Sequence, residues 1–260
     1  MSLPIAMTTY ERPFYFQQSI ESLEKSNADL DDFTIFDDCS KDKKKVELLN
    51  NIDYPVYIDN KNRGTVITTI RAIEHMYHSC CCEYLVLLQD DIVVSRSWLE
   101  RGIEIFHNIQ KKNFRIAFFS LYNRDRRCDE KYYIYKQGHP GLVAWLINRD
   151  WWKAYRAIYP LNDYILEYYK NNDRLLTCRC RKKWSFDESF ICPDCGKDYS
   201  KEHRVRNVVD YKLSLRIYDM KWRIAKVGKS LVQHVGDKSS LLKGKDMTYC
   251  RSKNFVGEHK

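Results

Sequence analysis

The run Tyr84-Leu85-Val86-Leu87-Leu88-Gln89-Asp90-Asp91-Ile92 constrains this chain more than any other stretch. Five apolar or aromatic residues lead through a glutamine into two adjacent carboxylates. An unbroken apolar run of that length suits a strand covered on both faces, as in the middle of a parallel sheet. Two carboxylates at the end of such a strand are costly unless something cationic meets them. Ligands of open α/β sheets bind at the carboxyl ends of the strands. Hard divalent cations such as Mg2+ or Mn2+ take oxygen ligands and share them with phosphates. Asp90 and Asp91 are therefore read as the floor of a metal-phosphate site. Taken alone, the same residues also describe a solvated strand end with helix-capping acids. The rest of the chain argues against that.

The segments on either side repeat the pattern. Leu3 to Met7 is a short apolar strand, followed by the polar loop Thr8-Thr9-Tyr10-Glu11-Arg12-Pro13. Phe14 to Lys25 has helical spacing, with Phe16, Ile20 and Leu23 on one stripe and Pro13 suited to the first turn. Phe33 to Phe36 is a second strand that ends in Asp37-Asp38-Cys39-Ser40. Lys41 to Asn50 reads as a charged helix, Val56 to Ile58 as a third strand, and Thr68 to His78 as a helix after a loop carrying Arg63-Gly64. Beyond Asp91, Trp98 to Gln110 reads as an amphipathic helix and Ile116 to Ser120 as a strand. Tyr132 to Tyr135 reads as an edge strand, and Leu142 to Ile147 is an apolar run. Asp150 is the expected N-cap of a helix through Trp152 and Tyr155. Asp210 to Tyr218 reads as a helix and Trp222 to Val227 as a strand. The alternation predicts an α/β chain with a sheet of doubly wound type.

Length and charge bound the rest. The chain has 260 residues, enough for one large domain or one domain with a small insert. No apolar run approaches the ~20 residues of a membrane span, and the first residues lack a signal-peptide layout. The expected setting is the cytosol. Net charge is +9, and its excess sits in segments 111–136 and 170–206. Basic surface concentrated in this way points to a polyanionic partner such as nucleic acid; general solubility charge is the alternative.

There are ten cysteines. Without a secretion signal, they argue for thiols or metal rather than disulfides. Cys80, Cys81 and Cys82 are read as reduced thiols with no role. Cys178 with Cys180 and Cys192 with Cys195 form two pairs, the second in the knuckle Cys192-Pro193-Asp194-Cys195-Gly196. Four thiolates satisfy tetrahedral zinc, with His203 able to replace one. A structural zinc in a small insert over 178–203 is expected, because so short a segment buries too little core to fold alone.

In order along the chain stand Thr8 to Pro13, Asp37-Asp38-Cys39-Ser40, Asn62-Arg63-Gly64, Leu88-Gln89-Asp90-Asp91, Gly141 to Arg149 and Ser230 to Ser240. Together they resemble a family 2-like, nucleotide-sugar-dependent glycosyltransferase of the GT-A fold. The resemblance covers residues 3–160 and 205–240. It implies a single Rossmann-like, mixed and mostly parallel sheet flanked by helices. Residues 1–122 would bind the nucleotide sugar and 123–245 the acceptor, with 246–260 a polar tail. It further implies that Asp91 is the last acid of a metal-binding D-x-D motif, here written Gln89-Asp90-Asp91, and that Asp90 faces sugar or ribose. His234 would be a second Mn2+ or Mg2+ ligand. Asp37 or Asp38 would meet a nucleobase edge. Thr8, Tyr10 and Arg12 would contact the nucleotide, and Arg63 would brace base or phosphate. The acceptor hydroxyl needs a general base. Asp210 resembles the family's base, and Asp187 or Glu188 is the rival.

The reading is thus an inverting, metal-dependent transferase using a nucleotide diphosphate sugar, with UDP expected. Its acceptor is a polyanion such as DNA with hydroxylated bases, or else a glycan or protein. Two alternatives are a zinc-ribbon nucleic-acid-binding module on an inactive sheet and a nucleotidyltransferase. The chain lacks a G-x-x-x-x-G-K loop, which argues against kinases and P-loop NTPases.

Overall fold

The computed structural model describes residues 2–112, 114–124, 131–135, 141, 143–158, 175–177, 183–185, 216–236, 252 and 255–256. Its first half runs β1 (Ile5–Thr9), α1 (Pro13–Glu24), β2 (Phe33–Asp37), α2 (Lys43–Asn51), β3 (Val56–Ile58), α3 (Thr65–Ser79), β4 (Tyr84–Gln89), β5 (Ile92–Val94) and α4 (Trp98–Gln110). Then come β6 (Ile116–Ser120), β7 (Tyr132–Tyr135), β8 (Ala144–Asn148), α5 (Arg149–Ile158), β9 (Leu175–Thr177), β10 (Lys183–Ser185), β11 (Arg223–Val227) and β12 (Val232–His234).

Eight strands form one sheet in the order β3-β2-β1-β4-β8-β6-β11-β7. The first four are mutually parallel. Beyond β4 the sheet becomes mixed while staying mostly parallel as a whole, as the resemblance implies. β8 runs antiparallel between β4 and β6, β11 lies parallel to β6, and β7 closes the edge antiparallel. Parallel neighbours need a crossover connection, usually a helix. Among the described residues no helix separates β6 from β8, and β8 runs antiparallel to it.

β4 is covered on both faces, as its composition demands. Tyr84, Val86 and Leu88 face one cluster, with Phe16, Leu23, Trp98, Phe106 and Leu146. Leu85 and Leu87 face the other, with Ala72, Ile73, Trp145, Trp151 and Trp152. Thus α1 and α4 cover one side of the sheet, and α3 and α5 the other. Asp150 does not cap α5; Asn148 does, its side chain accepting from Trp151 N at 3.0 Å. Asp150 lies inside the first turn, where a carboxylate still complements the helix dipole.

A small second ladder ties the far end of the chain to the acidic turn after β4. β12 pairs antiparallel with β5, setting His234 opposite Ile92. Asp91 O accepts from Val235 N at 2.9 Å, which extends that pairing. Part of the expected polar tail also joins the core. Ser252 is buried and bonded to Gln233 and to Asn123 O, while Val256 N donates to Ser230 O at 3.0 Å. No helix among the described residues is long and apolar enough to cross a membrane.

Candidate functional site

The carboxyl ends of β1, β2 and β4 lie side by side, with Thr9 opposite Asp37 and Thr8 opposite Gln89. The chain leaves β4 at Asp90 and re-enters a strand at Ile92, so the two acids sit in a tight connection where only Asp91 O continues the β5–β12 pairing. Helix α1 supplies the missing bonds. Ser19 Oγ lies 2.8 Å from the carbonyls of both Asp90 and Ile92 and accepts from Ile92 N at 3.0 Å. Ser22 Oγ accepts from Val94 N at 3.3 Å.

Both acids are buried, at 1% and 4% exposure, so their charges must be met by neighbours. Arg12 meets both. Its Nη1 donates to Asp91 Oδ2 at 2.7 Å, and its Nη2 donates to Asp90 Oδ1. Thr9 Oγ1 donates to Asp90 Oδ2 at 2.5 Å and accepts from Lys45 Nζ at 2.5 Å. Lys45 Nζ also lies 3.9 Å from Asp90 Oδ2 and 3.2 Å from the centre of the Phe16 ring. His234 Nε2 lies 3.2 Å from Asp91 Oδ2.

The two acids ionise differently. Burial raises the Asp90 carboxyl above its ordinary value, against the pull of Arg12 and Lys45. Burial opposes ionisation of Asp91 too, but His234 and Arg12 outweigh it and hold its carboxyl well below the usual range. Of the two acids, Asp91 is the one its surroundings favour in the ionised form.

The loop that delivers Arg12 is strained. Glu11 and Arg12 both adopt left-handed backbone, at φ 54° and 52°. Such residues each cost on the order of 1–3 kcal/mol and persist only where the surroundings over-determine them. Here Glu11 does so. Its carboxylate accepts from Lys41 N and Asp42 N, both at 2.8 Å, and its own N–H donates to Ser40 Oγ at 2.6 Å.

The second acidic pair is engaged in holding its own loop. Asp37 accepts from Ser40 N and Ser40 Oγ at 2.8 and 2.6 Å. Asp38 accepts from Arg63 N and Gly64 N at 2.6 and 2.8 Å. Burial raises the Asp38 carboxyl, against those backbone donors. Asp38 thus anchors the turn where Gly64, at φ 86°, opens α3. Arg63 Nε lies 3.3 Å from Asp59, which also pairs with Arg71. Thr8 is turned into the sheet, its hydroxyl 3.4 Å from Leu88 O, and Tyr10 is half-buried in the strained loop.

Two buried atoms at the centre have no hydrogen-bond partner: Asp91 Oδ1 and His234 Nδ1. An oxygen and an imidazole nitrogen left bare at a carboxylate favoured in its ionised form fit a divalent cation. Gly236 keeps this spot open, because a Cβ there would come within 2.8 Å of Asp91 Oδ2 and 3.2 Å of His234 Cε1. Among the described residues no three His, Cys, Asp or Glu side chains form a complete metal cage. Mg2+-type sites with one or two protein ligands complete their shell with water and substrate phosphate.

The structure therefore brings together Arg12, Asp90, Asp91 and His234 of the residues expected from sequence, with Asp37, Asp38 and Arg63 at the neighbouring strand ends. Asp187, Glu188, Asp210 and the zinc set Cys178, Cys180, Cys192, Cys195 and His203 lie outside the described residues. Lys45, Thr9, Ser19, Glu11 and Gly236 complete the site without being evident from sequence. Lys45 alone leaves a signal: it stands four residues before Leu49, the other buried residue of α2.

The model of the family described as glycosyl transferase family 2 matches residues 5–137, just over half of the chain. No curated protein sequence matches. Among solved structures, similarity extends to the mannosyltransferase PcManGT from Pyrobaculum calidifontis in complex with GDP-Man and Mn2+. That match has 13% identity and a TM-score of 0.44, over 59% of this chain and 46% of that one. It extends also to S. aureus TarS 1-349 in complex with UDP-GlcNAc, at 15% identity and a TM-score of 0.40, over 60% and 47%. A further S. aureus TarS structure matches at 14% identity and a TM-score of 0.43, over 91% and 37%. The chain spans less than half the length of each of these solved chains.

Proposed function

The chain belongs to glycosyl transferase family 2, and from that premise we propose that it transfers a sugar from a nucleotide diphosphate sugar, UDP-linked in the first instance, to an acceptor hydroxyl with help from a divalent cation. One observation carries the reading: buried Asp91, favoured in its ionised form, faces His234 with Asp91 Oδ1 and His234 Nδ1 both bare. Mn2+ or Mg2+ held there would neutralise charge that builds on the departing diphosphate. Arg12, with its planar fork of donors, is placed to take phosphate oxygens. Asp90, behind Arg12, would orient ribose or sugar hydroxyls. Arg63 and the loop anchored by Asp38 would border the base. Asp210 is the proposed general base for an inverting transfer, with Asp187 or Glu188 as the rival.

The basic segments 111–136 and 170–206 motivate a polyanionic acceptor, with DNA carrying hydroxylated bases first to be tried. Its binding must weaken steeply with salt; salt-independent binding would exclude it. A structural zinc on the four cysteines is retained as a proposal, checked by metal analysis of the purified protein.

The reading is tested by screening nucleotide sugars for binding and hydrolysis with Mn2+, then repeating the screen after chelation. Turnover of one donor that disappears on chelation and returns with Mn2+ is the expected result. A chain that binds no nucleotide sugar under either condition is not a transferase of this kind. Gly236→Ala supplies a finer check. Its new methyl would displace the Asp91 carboxylate, and Mn2+ affinity should fall at least about tenfold with the fold intact by circular dichroism.

A further inference from the structure

We propose that Arg12 is a built-in stand-in for the divalent cation: it ties Asp90 to Asp91 in the free protein, and a cation binds Asp91 tightly only once the guanidinium has left it. The inference rests on the reading of Asp91 and His234 as cation ligands. The guanidinium is divided, one nitrogen on each carboxyl group, so a single cationic side chain bridges the two acids. It takes Asp91 Oδ2, which His234 Nε2 also approaches at 3.2 Å, and leaves Oδ1 bare. A cation held on Oδ1 would have to share this carboxylate with the guanidinium, and like charges in a buried site repel strongly.

Arg12 is also able to leave. Its side chain keeps 21% of its surface exposed, whereas the acids beneath it are closed off. Its Nε has no hydrogen-bond partner, so only the two outer nitrogens hold it. Asp90 is not abandoned when it goes, because Thr9 Oγ1 and Lys45 remain on Oδ2. A diphosphate offers the guanidinium a matching set of oxygens. Nucleotide and cation binding would then be coupled through one side chain. The nucleotide draws Arg12 off Asp91, and the vacated carboxylate takes the cation more tightly. By linkage the cation favours the nucleotide by the same factor.

The test is Mn2+ affinity of the full chain without any turnover, by calorimetry and by the electron paramagnetic resonance signal of free Mn2+. Wild type, Arg12→Gln and Arg12→Lys are compared, each without nucleotide and with UDP. Arg12→Gln should bind Mn2+ about tenfold more tightly than wild type without nucleotide, and UDP should enhance Mn2+ binding less in the variant than in wild type. Equal or weaker Mn2+ binding by Arg12→Gln overturns the proposal and leaves the cation site standing. If no protein takes up Mn2+, even with UDP, the cation site falls and the proposal with it. Should Arg12→Gln fail to fold, Arg12→Lys decides. It keeps the charge but loses the fork, so its Mn2+ affinity should exceed that of wild type; affinity at or below wild type overturns the proposal.

Discussion

Asp91→Asn should lower kcat/KM for donor hydrolysis about a thousandfold and abolish measurable Mn2+ binding, with the protein still folded. The substitution changes one oxygen to an amide nitrogen at nearly constant volume, so the tight connection between β4 and β5 is not repacked. Its backbone bond to Val235 N is untouched, and Ser19 still pins the turn. What disappears is the carboxylate of the pair whose ionised form His234 and Arg12 favour. A metal that stabilises a leaving diphosphate contributes several kcal/mol to the transition state. About 4 kcal/mol corresponds to a thousandfold in rate. Asp90→Asn should be milder, because burial already biases Asp90 toward its neutral form and its partners are protein groups. Steady-state kinetics on both variants, beside Mn2+ titrations, separate the two roles. Activity of Asp91→Asn within tenfold of wild type would remove the cation from the mechanism.

The range of the interactions decides why some of this site is legible in the sequence and some is not. The apolar run of β4 announces itself locally, because a strand covered on both faces tolerates only apolar residues. The acids that end it are conspicuous for the same reason. The resemblance to family 2 rests on the order of such pieces, and the family match bears it out. The mixed half of the sheet is less legible, since β8 pairs with strands on both sides regardless of chain order. The ladder between β5 and β12 joins residues some 140 positions apart, and neither three-residue strand carries a period of its own. Ser19 and Ser22 look like solvent-facing positions on a helix stripe. They are buried because they satisfy the N–H groups of Ile92 and Val94 along β5. Asp38 looks like a lone acid in the sequence, but each of its oxygens accepts a backbone N–H just before α3.

Lys45 leaves only the faint signal of its i,i+4 spacing to Leu49, and it should dominate the alkaline stability of the protein. In the run Lys43-Lys44-Lys45, only the third residue is buried, fully, over Phe16. Burial pushes its ammonium from 10.5 down to about 7, and Arg12 pushes the same way. Asp90, Asp37 and Glu11 pull it back, but not far enough. In the unfolded chain the lysine holds its proton until about pH 10.4. Between pH 7 and about 10, then, the unfolded state binds more protons than the folded state. Stability must rise with pH across that window, by at most about 1.4 kcal/mol per pH unit from this one group. Below pH 7 both states are protonated and the slope ends. Lys45→Met keeps an unbranched stem over the Phe16 ring and removes the titration. Urea denaturation at pH 7, 8 and 9 should therefore show wild type gaining stability relative to Lys45→Met, by about 2–3 kcal/mol in total. At pH 7 the variant should be the more stable of the two, because the desolvation penalty on the buried ammonium outweighs the hydrogen bond that Thr9 Oγ1 loses. A difference that stays constant from pH 7 to 9 would mean that Asp90 and Asp37 outweigh burial and that Lys45 remains charged. The buried end of α2 would then be a permanent counter-ion to the acid pair rather than a group that gives up its proton there.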